Sequence, residues 1–88
     1  MYFTPAENDQ MDKLNKTRLK QFGQHLAKLR LARGLSLREL ALRSDVDHKK
    51  ISDIELNKRG LRLDTLFKLA DGLELNPKEL LDFEMPKH

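Results

Sequence analysis

Residues 36–55, SLRELALRSDVDHKKISDIE, decide the fold of this chain because they hold two helix starts separated by a short turn. Ser36 and Glu39 form a capping box, in which each side chain can accept a hydrogen bond from the backbone amide of the other residue. This pair predicts that a first short helix runs from about residue 37 to residue 43. The small Ala41 on that helix lets another helix pack close against it.

The second half of the stretch predicts another short helix. Asp47 is a favourable N-cap residue, and Ile51 and Ile54 then lie on one face of a helix from about residue 48 to residue 56. Val46 supplies an apolar side chain to the turn between the two helices. Two caps, a small residue and an apolar turn residue in register indicate a tightly packed helix pair.

Helical periodicity extends outward from this pair in both directions. Apolar residues at intervals of three and four predict a first helix over about residues 17–33, ended by Gly34, and a fourth helix over about residues 63–72. The sequence Asn-Pro-Lys-Glu at residues 76–79 marks the start of a fifth helix, which runs to about Phe83. β-Branched residues are scarce, so the chain is predicted to be an all-α, compact five-helix bundle. The predicted core comprises Phe22, Leu26, Leu29, Leu40, Ala41, Val46, Ile51, Ile54, Leu66, Leu69 and Leu73.

Length and composition narrow the class of protein. The 88 residues fit one small domain, here placed at residues 16–83 between a flexible polar N-terminal arm, 1–15, and a short C-terminal tail, 84–88. Cysteine is absent, which excludes disulfides and thiolate metal sites and favours a reducing compartment. No apolar run is long enough to span a membrane, and the N-terminus lacks the features of a secretory signal, so a cytoplasmic location is expected.

Charge is unevenly distributed along the chain. Residues 13–35 hold seven Lys or Arg and no acid, whereas residues 63–88 hold three basic and six acidic residues. One end of the domain is therefore basic and the other acidic. A basic end is suited to the phosphates of a nucleic acid, while an acidic end is better turned away from them.

The chain resembles the XRE-type family of helix-turn-helix regulators, which includes Cro and the phage repressors. The resemblance rests on short pieces in family-like order and spacing: Phe22-Gly23, Leu29-Arg30, Gly34-Leu35-Ser36, Glu39-Leu40-Ala41, Val46, Ile51-Ser52, Ile54-Glu55, Thr65-Leu66, Leu69-Ala70, Leu73 and Glu79-Leu80-Leu81. It implies a lambda-repressor-like DNA-binding domain. The second and third helices would form the helix-turn-helix, and the third would be the recognition helix in the major groove.

The base-contacting positions of that family fall on Asp47, His48, Lys49 and Asp53, with Lys50 beside them. Lys49 can donate to guanine O6 and N7, His48 can donate to a guanine, and Asp53 can accept from cytosine N4. Asp53 has an alternative role as the i,i+4 partner of a lysine, and the lysines have one as solvated surface groups. Asp47 is also expected to cap the helix.

Phosphate contacts are predicted on both sides of the recognition helix. The amides of Leu37 and Arg38 open the second helix, where the helix dipole favours an anion. The family usually has Gln at the position of Leu37, so one side-chain contact is missing, and Arg38 or Arg43 can substitute for it. Lys58, Arg59 and Arg62 are the candidates on the other side.

Three further expectations follow from the resemblance. Arg30 is expected to form an ion pair with Glu55, which fixes the first helix on the third. Asp45 and Glu74 stand where the family usually has glycine, so both must adopt a left-handed backbone conformation. The dimer interface is predicted at Leu75, Leu80, Leu81 and Phe83.

The resemblance implies a sequence-specific transcriptional regulator, usually a repressor, that binds an inverted-repeat operator as a homodimer and is associated with the nucleoid. The alternatives are an antitoxin that also binds a toxin protein, a restriction-modification controller, and a protein-interaction module without DNA binding. An enzyme is not expected, because no nucleophile–base pair, metal cluster or phosphate loop is evident. No cofactor, metal or small-molecule ligand is expected either.

Overall fold

The computed structural model describes the backbone of residues 5–84 and the side chains from residue 12 to residue 84. These residues form four α-helices, α1 (Pro5–Ala32), α2 (Leu37–Ser44), α3 (His48–Glu55) and α4 (Leu63–Leu73), and a 3₁₀ helix, Pro77–Leu81. Residues 5–84 contain no β-strand, so the prediction of an all-α fold is confirmed for this part of the chain.

The predicted count of five α-helices is wrong, because the last element is a 3₁₀ helix of five residues. Asn76 and Glu79 do form the predicted capping box, and Pro77 is at the start of the element. The Glu79 amide bonds to the Asn76 carbonyl at 2.9 Å, which is the i→i+3 pattern of a 3₁₀ turn. So short a segment cannot offset the unfavourable nucleation of an α-helix by further bonds.

The predicted start of the first helix is also wrong. α1 begins at Pro5, well before residue 17, and so includes most of the segment predicted as a flexible arm. Proline suits the first position of a helix, where its missing amide hydrogen costs no hydrogen bond. The segment has no apolar stripe, which is why periodicity alone missed it. Residues 1–4, and all of the predicted tail except Glu84, lie outside the described residues.

A single core lies where the four α-helices and the 3₁₀ helix meet. Its buried apolar residues are Phe22, Leu26, Leu35, Leu40, Val46, Ile51, Ile54, Leu66, Leu69, Ala70, Leu73 and Leu80. Most of the predicted core is therefore confirmed. Leu29 and Ala41 are only partly buried against this core, whereas Leu35 and Leu80 belong to it unexpectedly.

Two glycines bring pairs of helices into backbone contact. A Cβ atom on Gly23 of α1 would lie 2.5 Å from the carbonyl oxygen of Ile54 and 2.7 Å from that of Glu55. A Cβ atom on Gly72 of α4 would lie 2.8 Å from Cβ of Ser44 at the end of α2. The C-terminal ends of α2 and α3 are thus each fixed on a longer helix.

Asp45 and Glu74 adopt the left-handed conformation that was predicted for them, with φ of 58° at both positions. Asp45 ends α2, and its amide donates to the Ala41 carbonyl at 2.9 Å. The turn between α2 and α3 therefore keeps its shape without a glycine, since Asp tolerates this conformation better than most residues.

Residues 5–84 include no helix that is both long and apolar enough to cross a membrane. Among the side chains of residues 12–84, no three His, Cys, Asp or Glu are placed to hold a metal ion.

Candidate nucleic-acid interface

Asp47 caps the start of α3 as predicted. Its Oδ2 accepts from the Lys49 amide at 3.1 Å and from the Lys50 amide at 3.4 Å. His48 Nδ1 lies 3.8 Å from Oδ1 of the same carboxylate. The cap satisfies amides that no residue within the helix can bond, and it leaves the following side chains directed outward.

The predicted base-contacting residues all reach the accessible surface, at the start of α3 or along it. Asp47 and Lys49 are exposed, and His48, Lys50 and Asp53 are partly exposed. The opposite face of the helix is buried through Ile51 and Ile54. This surface offers ammonium and imidazole donors and a carboxylate acceptor, the groups that major-groove base edges bind. The individual contacts with bases stay predictions.

An open cleft of about 490 Å³ lies between α2 and the start of α3. It is lined by Arg38, Ala41, Leu42, Asp45, Val46, Asp47 and His48. The fold therefore brings Arg38, a predicted phosphate contact, to the same surface as Asp47 and His48. Leu42 is 86% exposed in this cleft, and no role was predicted for it. Its position as an apolar residue on the outer face of α2 could have indicated that it lies on the surface.

The start of α2 is held by the predicted capping box. Ser36 Oγ accepts from the Glu39 amide at 3.0 Å, and Glu39 Oε1 accepts from the Ser36 amide at 2.9 Å. Two hydrogen bonds with Ser36 lower the pKa of Glu39. The bond with the Ser36 backbone is the larger cause, and the bond with the Ser36 side chain is the second. Leu37 follows this cap, with its side chain packed against the core.

The other predicted phosphate-binding residues are exposed. Arg38 and Arg43 lie on α2, and Lys58 and Arg59 lie in the loop after α3. Arg62 precedes α4, and its Nε lies 3.4 Å from Asp64 Oδ1 in an exposed ion pair. All five side chains are accessible to a ligand, and their contacts with phosphates stay predictions.

Arg30 and Glu55 form the predicted ion pair between α1 and α3. Arg30 Nε donates to Glu55 Oε2 at 2.7 Å, and Nη2 donates to Oε1 at 3.0 Å. Nη1 donates to the Leu35 carbonyl at 2.8 Å. The side chains are only 12% and 8% exposed, and the bond with Glu55 raises the pKa of Arg30. All three nitrogens of the guanidinium group have partners inside the domain, so this arginine has a structural role.

The predicted dimer interface is wrong in part. Leu80 is completely buried in the core, because the 3₁₀ helix directs it inward, and it cannot contact another molecule. Leu75 and Phe83 are partly buried and pack against the same core. Leu81, which is 46% exposed, is the only one of the four available as a large apolar surface.

His25 is a contact residue that the sequence did not predict. Its Nε2 lies 2.8 Å from the Glu79 carbonyl oxygen, and its ring centroid lies 5.3 Å from that of Phe83. The ring of Phe83 also lies 6.4 Å from that of Phe22. These contacts attach the 3₁₀ helix to α1 across a long sequence separation, so no local pattern could have indicated them.

Two short capped helices, joined by a tight turn and followed by a basic loop, define a helix-turn-helix. The family model described as helix-turn-helix matches residues 26–80 of the chain. The chain therefore belongs to the XRE-type helix-turn-helix family of DNA-binding regulators.

Restriction-modification controllers are among the proteins similar to this chain. The control protein C.BamHI of Bacillus amyloliquefaciens is 40% identical over 63 residues, which cover 70% of this chain and 78% of that protein. The crystal structure of the restriction-modification controller C.AhdI from Aeromonas hydrophila matches with a TM-score of 0.69 and 40% identity, over 70% of this chain and 94% of that one. A point mutant of the controller C.Esp1396I matches with a TM-score of 0.69 and 31% identity, over 74% and 84% of the two chains.

Proposed function

We propose that this chain is the controller of a restriction-modification system, a sequence-specific transcriptional regulator that binds an inverted repeat in DNA as a homodimer. The observation that carries the proposal is the exposed, capped and basic start of α3 in a chain that is 40% identical to C.BamHI. The relatives favour the controller over the antitoxin alternative. C.BamHI and C.AhdI are both named as controllers, and the match covers most of the length of each.

In the proposed complex α3 lies in the major groove with its N-terminal end against the bases. Asp47 accepts from the backbone amides of Lys49 and Lys50, and the exposed Lys49 side chain and the His48 ring are the groups that donate to base edges. Arg38 and Arg43 bind the backbone on one side of the groove, and the loop after α3 binds it on the other. These phosphate contacts supply most of the affinity, and the base contacts supply the specificity.

A dimer is required because an inverted repeat presents two half-sites about 34 Å apart. Leu81 and Leu63 line one open apolar cleft of about 360 Å³, and Phe67 lies one turn after Leu63 on α4. The three are exposed, and they lie in the acidic third of the chain, which phosphates would repel. We place the contact with a second copy there, in place of the predicted set that included Leu80.

The dimer surface is tested by Leu81→Glu, which adds a charge to the apolar patch. We expect the variant to sediment as a helical monomer at micromolar concentration and to lose tight operator binding. Leu31→Glu is the matched control, because Leu31 is an exposed leucine on α1, outside this patch. A wild-type chain that stays monomeric both free and on DNA contradicts the homodimer.

The operator is tested by selecting binding sites from random duplexes. We expect enrichment of an inverted repeat whose half-sites are separated by about one helical turn. Enrichment of no sequence would contradict the proposal. A reporter gene behind the selected site then measures the direction of control. We expect repression where the site overlaps the promoter, because a bound dimer blocks the polymerase there.

A further inference from the structure

Four lysines lie on one exposed face of α1. Lys13, Lys16, Lys20 and Lys28 follow one another at intervals of three, four and eight residues, which places them within one side of an α-helix. All four are exposed, whereas Phe22 on the opposite side is buried in the core. We call the first three of these residues, Lys13, Lys16 and Lys20, the α1 lysine face.

The α1 lysine face carries more positive than negative charge. Asp9 and Asp12 precede Lys13 and Lys16 by four residues, but residues 13–35 contain no Asp or Glu, so Lys20 has no acid three or four residues away in either direction. Like charges at these spacings destabilise a helix. A polyanion bound along the face would remove this repulsion, and the concentrated positive potential would attract one.

The α1 lysine face lies close to the basic loop after α3. A Cβ atom on Gly60 in that loop would lie 3.9 Å from Leu19 Cδ2 on α1. Leu19 is within one turn of Lys16 and next to Lys20, and the loop also contains Lys58 and Arg59. The packing of Gly23 on the end of α3 holds the two elements in this arrangement.

The α1 lysine face also extends beyond the part of the chain that resembles the family. The family model begins at residue 26, so all three lysines precede it. α1 has 28 residues and is about 42 Å long, close to the longest dimension of the molecule, 44 Å. α1 therefore extends along almost the whole length of the molecule, and the three lysines lie on the part of it that precedes the segment matched by the family model.

We propose that the α1 lysine face binds the sugar–phosphate backbone of duplex DNA that flanks each operator half-site. It continues the line of phosphate contacts that begins at Lys58 and Arg59. The inference rests on the proposed function, since it places a further contact on the same DNA. It predicts a longer footprint than the recognition helices alone require, and binding that strengthens when the duplex extends past the operator.

The test compares two variants on two duplexes. Lys16→Gln/Lys20→Gln removes two charges from the face, and Lys68→Gln/Lys78→Gln removes two exposed charges from the acidic third of the chain. The short duplex ends at the edge of the selected operator, and the long duplex adds about ten base pairs on each side, one turn of the helix. Titrations at several salt concentrations give the affinity and its salt dependence for each pair.

We expect the wild type and the control variant to bind the long duplex more tightly than the short one. The Lys16→Gln/Lys20→Gln variant should bind the short duplex like the wild type and the long duplex about tenfold more weakly, with a salt slope smaller by up to about 0.9 for each lost contact. Equal affinities of this variant and the wild type on both duplexes would overturn the inference, as would an equal loss on both. In either case the proposed function stands as long as the wild type binds the short duplex tightly. A wild type that binds the operator and a scrambled duplex equally well refutes the proposed function itself.

Discussion

The two ends of α3 differ in what holds them. The C-terminal end packs against the Gly23 backbone and is tied to α1 by the buried pair of Glu55 and Arg30. The N-terminal end carries the Asp47 cap and leaves Lys49 exposed, although Val46 before it and Ile51 in its first turn are buried in the core. In the proposed complex a helix of eight residues therefore separates two requirements, since its C-terminal end supplies stability and its N-terminal end supplies recognition. Substitutions at the two ends should affect different measurements.

The largest effect on stability is expected at the fixed end. Arg30→Ala or Glu55→Ala leaves the partner charge buried without compensation, so each should lower the free energy of unfolding by about 3 kcal/mol or more. Urea denaturation measures this change. Arg62→Ala is the control, because its pair with Asp64 is exposed and should contribute less than about 1 kcal/mol. Urea midpoints that match wild type for both single variants would show that the pair is not desolvated.

A smaller loss of stability is expected from Gly23→Ala. The new methyl group would lie 2.5 Å from the Ile54 carbonyl oxygen, so α1 and α3 must move apart, at a cost of about 1–3 kcal/mol. Gly60→Ala tests the same change where the nearest atom is 3.9 Å away, and there we expect little effect. Thermal melts of the two variants give the comparison. Equal melting temperatures would mean that the close approach at Gly23 contributes nothing.

The open end should respond in binding and not in stability. Lys49→Ala should leave the free energy of unfolding within about 0.5 kcal/mol of wild type, because the side chain is exposed. The free energy of binding to the preferred operator should weaken by about 1–3 kcal/mol, and the specificity at one base pair should relax. Lys58→Ala/Arg59→Ala is the contrasting variant and should weaken binding to all sequences alike. If only Lys58→Ala/Arg59→Ala lost the discrimination between DNA sequences, the loop would be assigned to base contacts and Lys49 to phosphate contacts.

The smallest effect is expected at Glu39, in the cap of α2. Because its pKa is lower in the folded chain than in the unfolded chain, its contribution to stability is present above about pH 5 and is lost as the pH falls through the folded-state pKa. Glu39→Gln should therefore flatten the acid side of the stability profile slightly. Urea denaturation at a series of pH values measures this. A profile that becomes steeper at acidic pH would contradict the sign of the shift.

The sequence predicted the features whose cause is local. The caps at Ser36, Asp47 and Asn76 were evident because a capping residue and its target lie within three positions of one another. Gly23 gave no such signal, since its function depends on the carbonyl groups of residues far along the chain. Leu35 lies after the end of α1 and before the start of α2, so helical periodicity could not place it in the core.

The C-terminal segment shows a second limit of prediction from sequence. The change from an α-helix to a 3₁₀ helix rotates each side chain relative to its neighbours, so Leu80 points into the core although an interface was predicted there. The ion pair of Arg30 and Glu55 was predicted only through the resemblance to a family. The residues that contact DNA depend on a second molecule, and the fold by itself fixes only which of them share a surface.

Asp45, Asn57 and Glu74 are the residues other than glycine with positive φ between residues 5 and 84. Each stores local strain of about 1–3 kcal/mol, which the surrounding contacts must offset. Glu74 lies away from the recognition end of α3, where its carboxylate is only loosely paired with Arg33 at 3.6 Å, so a glycine there would relieve strain without altering the bases that are contacted. Glu74→Gly would therefore raise the stability of the domain, and that gain could offset destabilising changes in the residues proposed to contact bases, through which the domain would acquire a different operator.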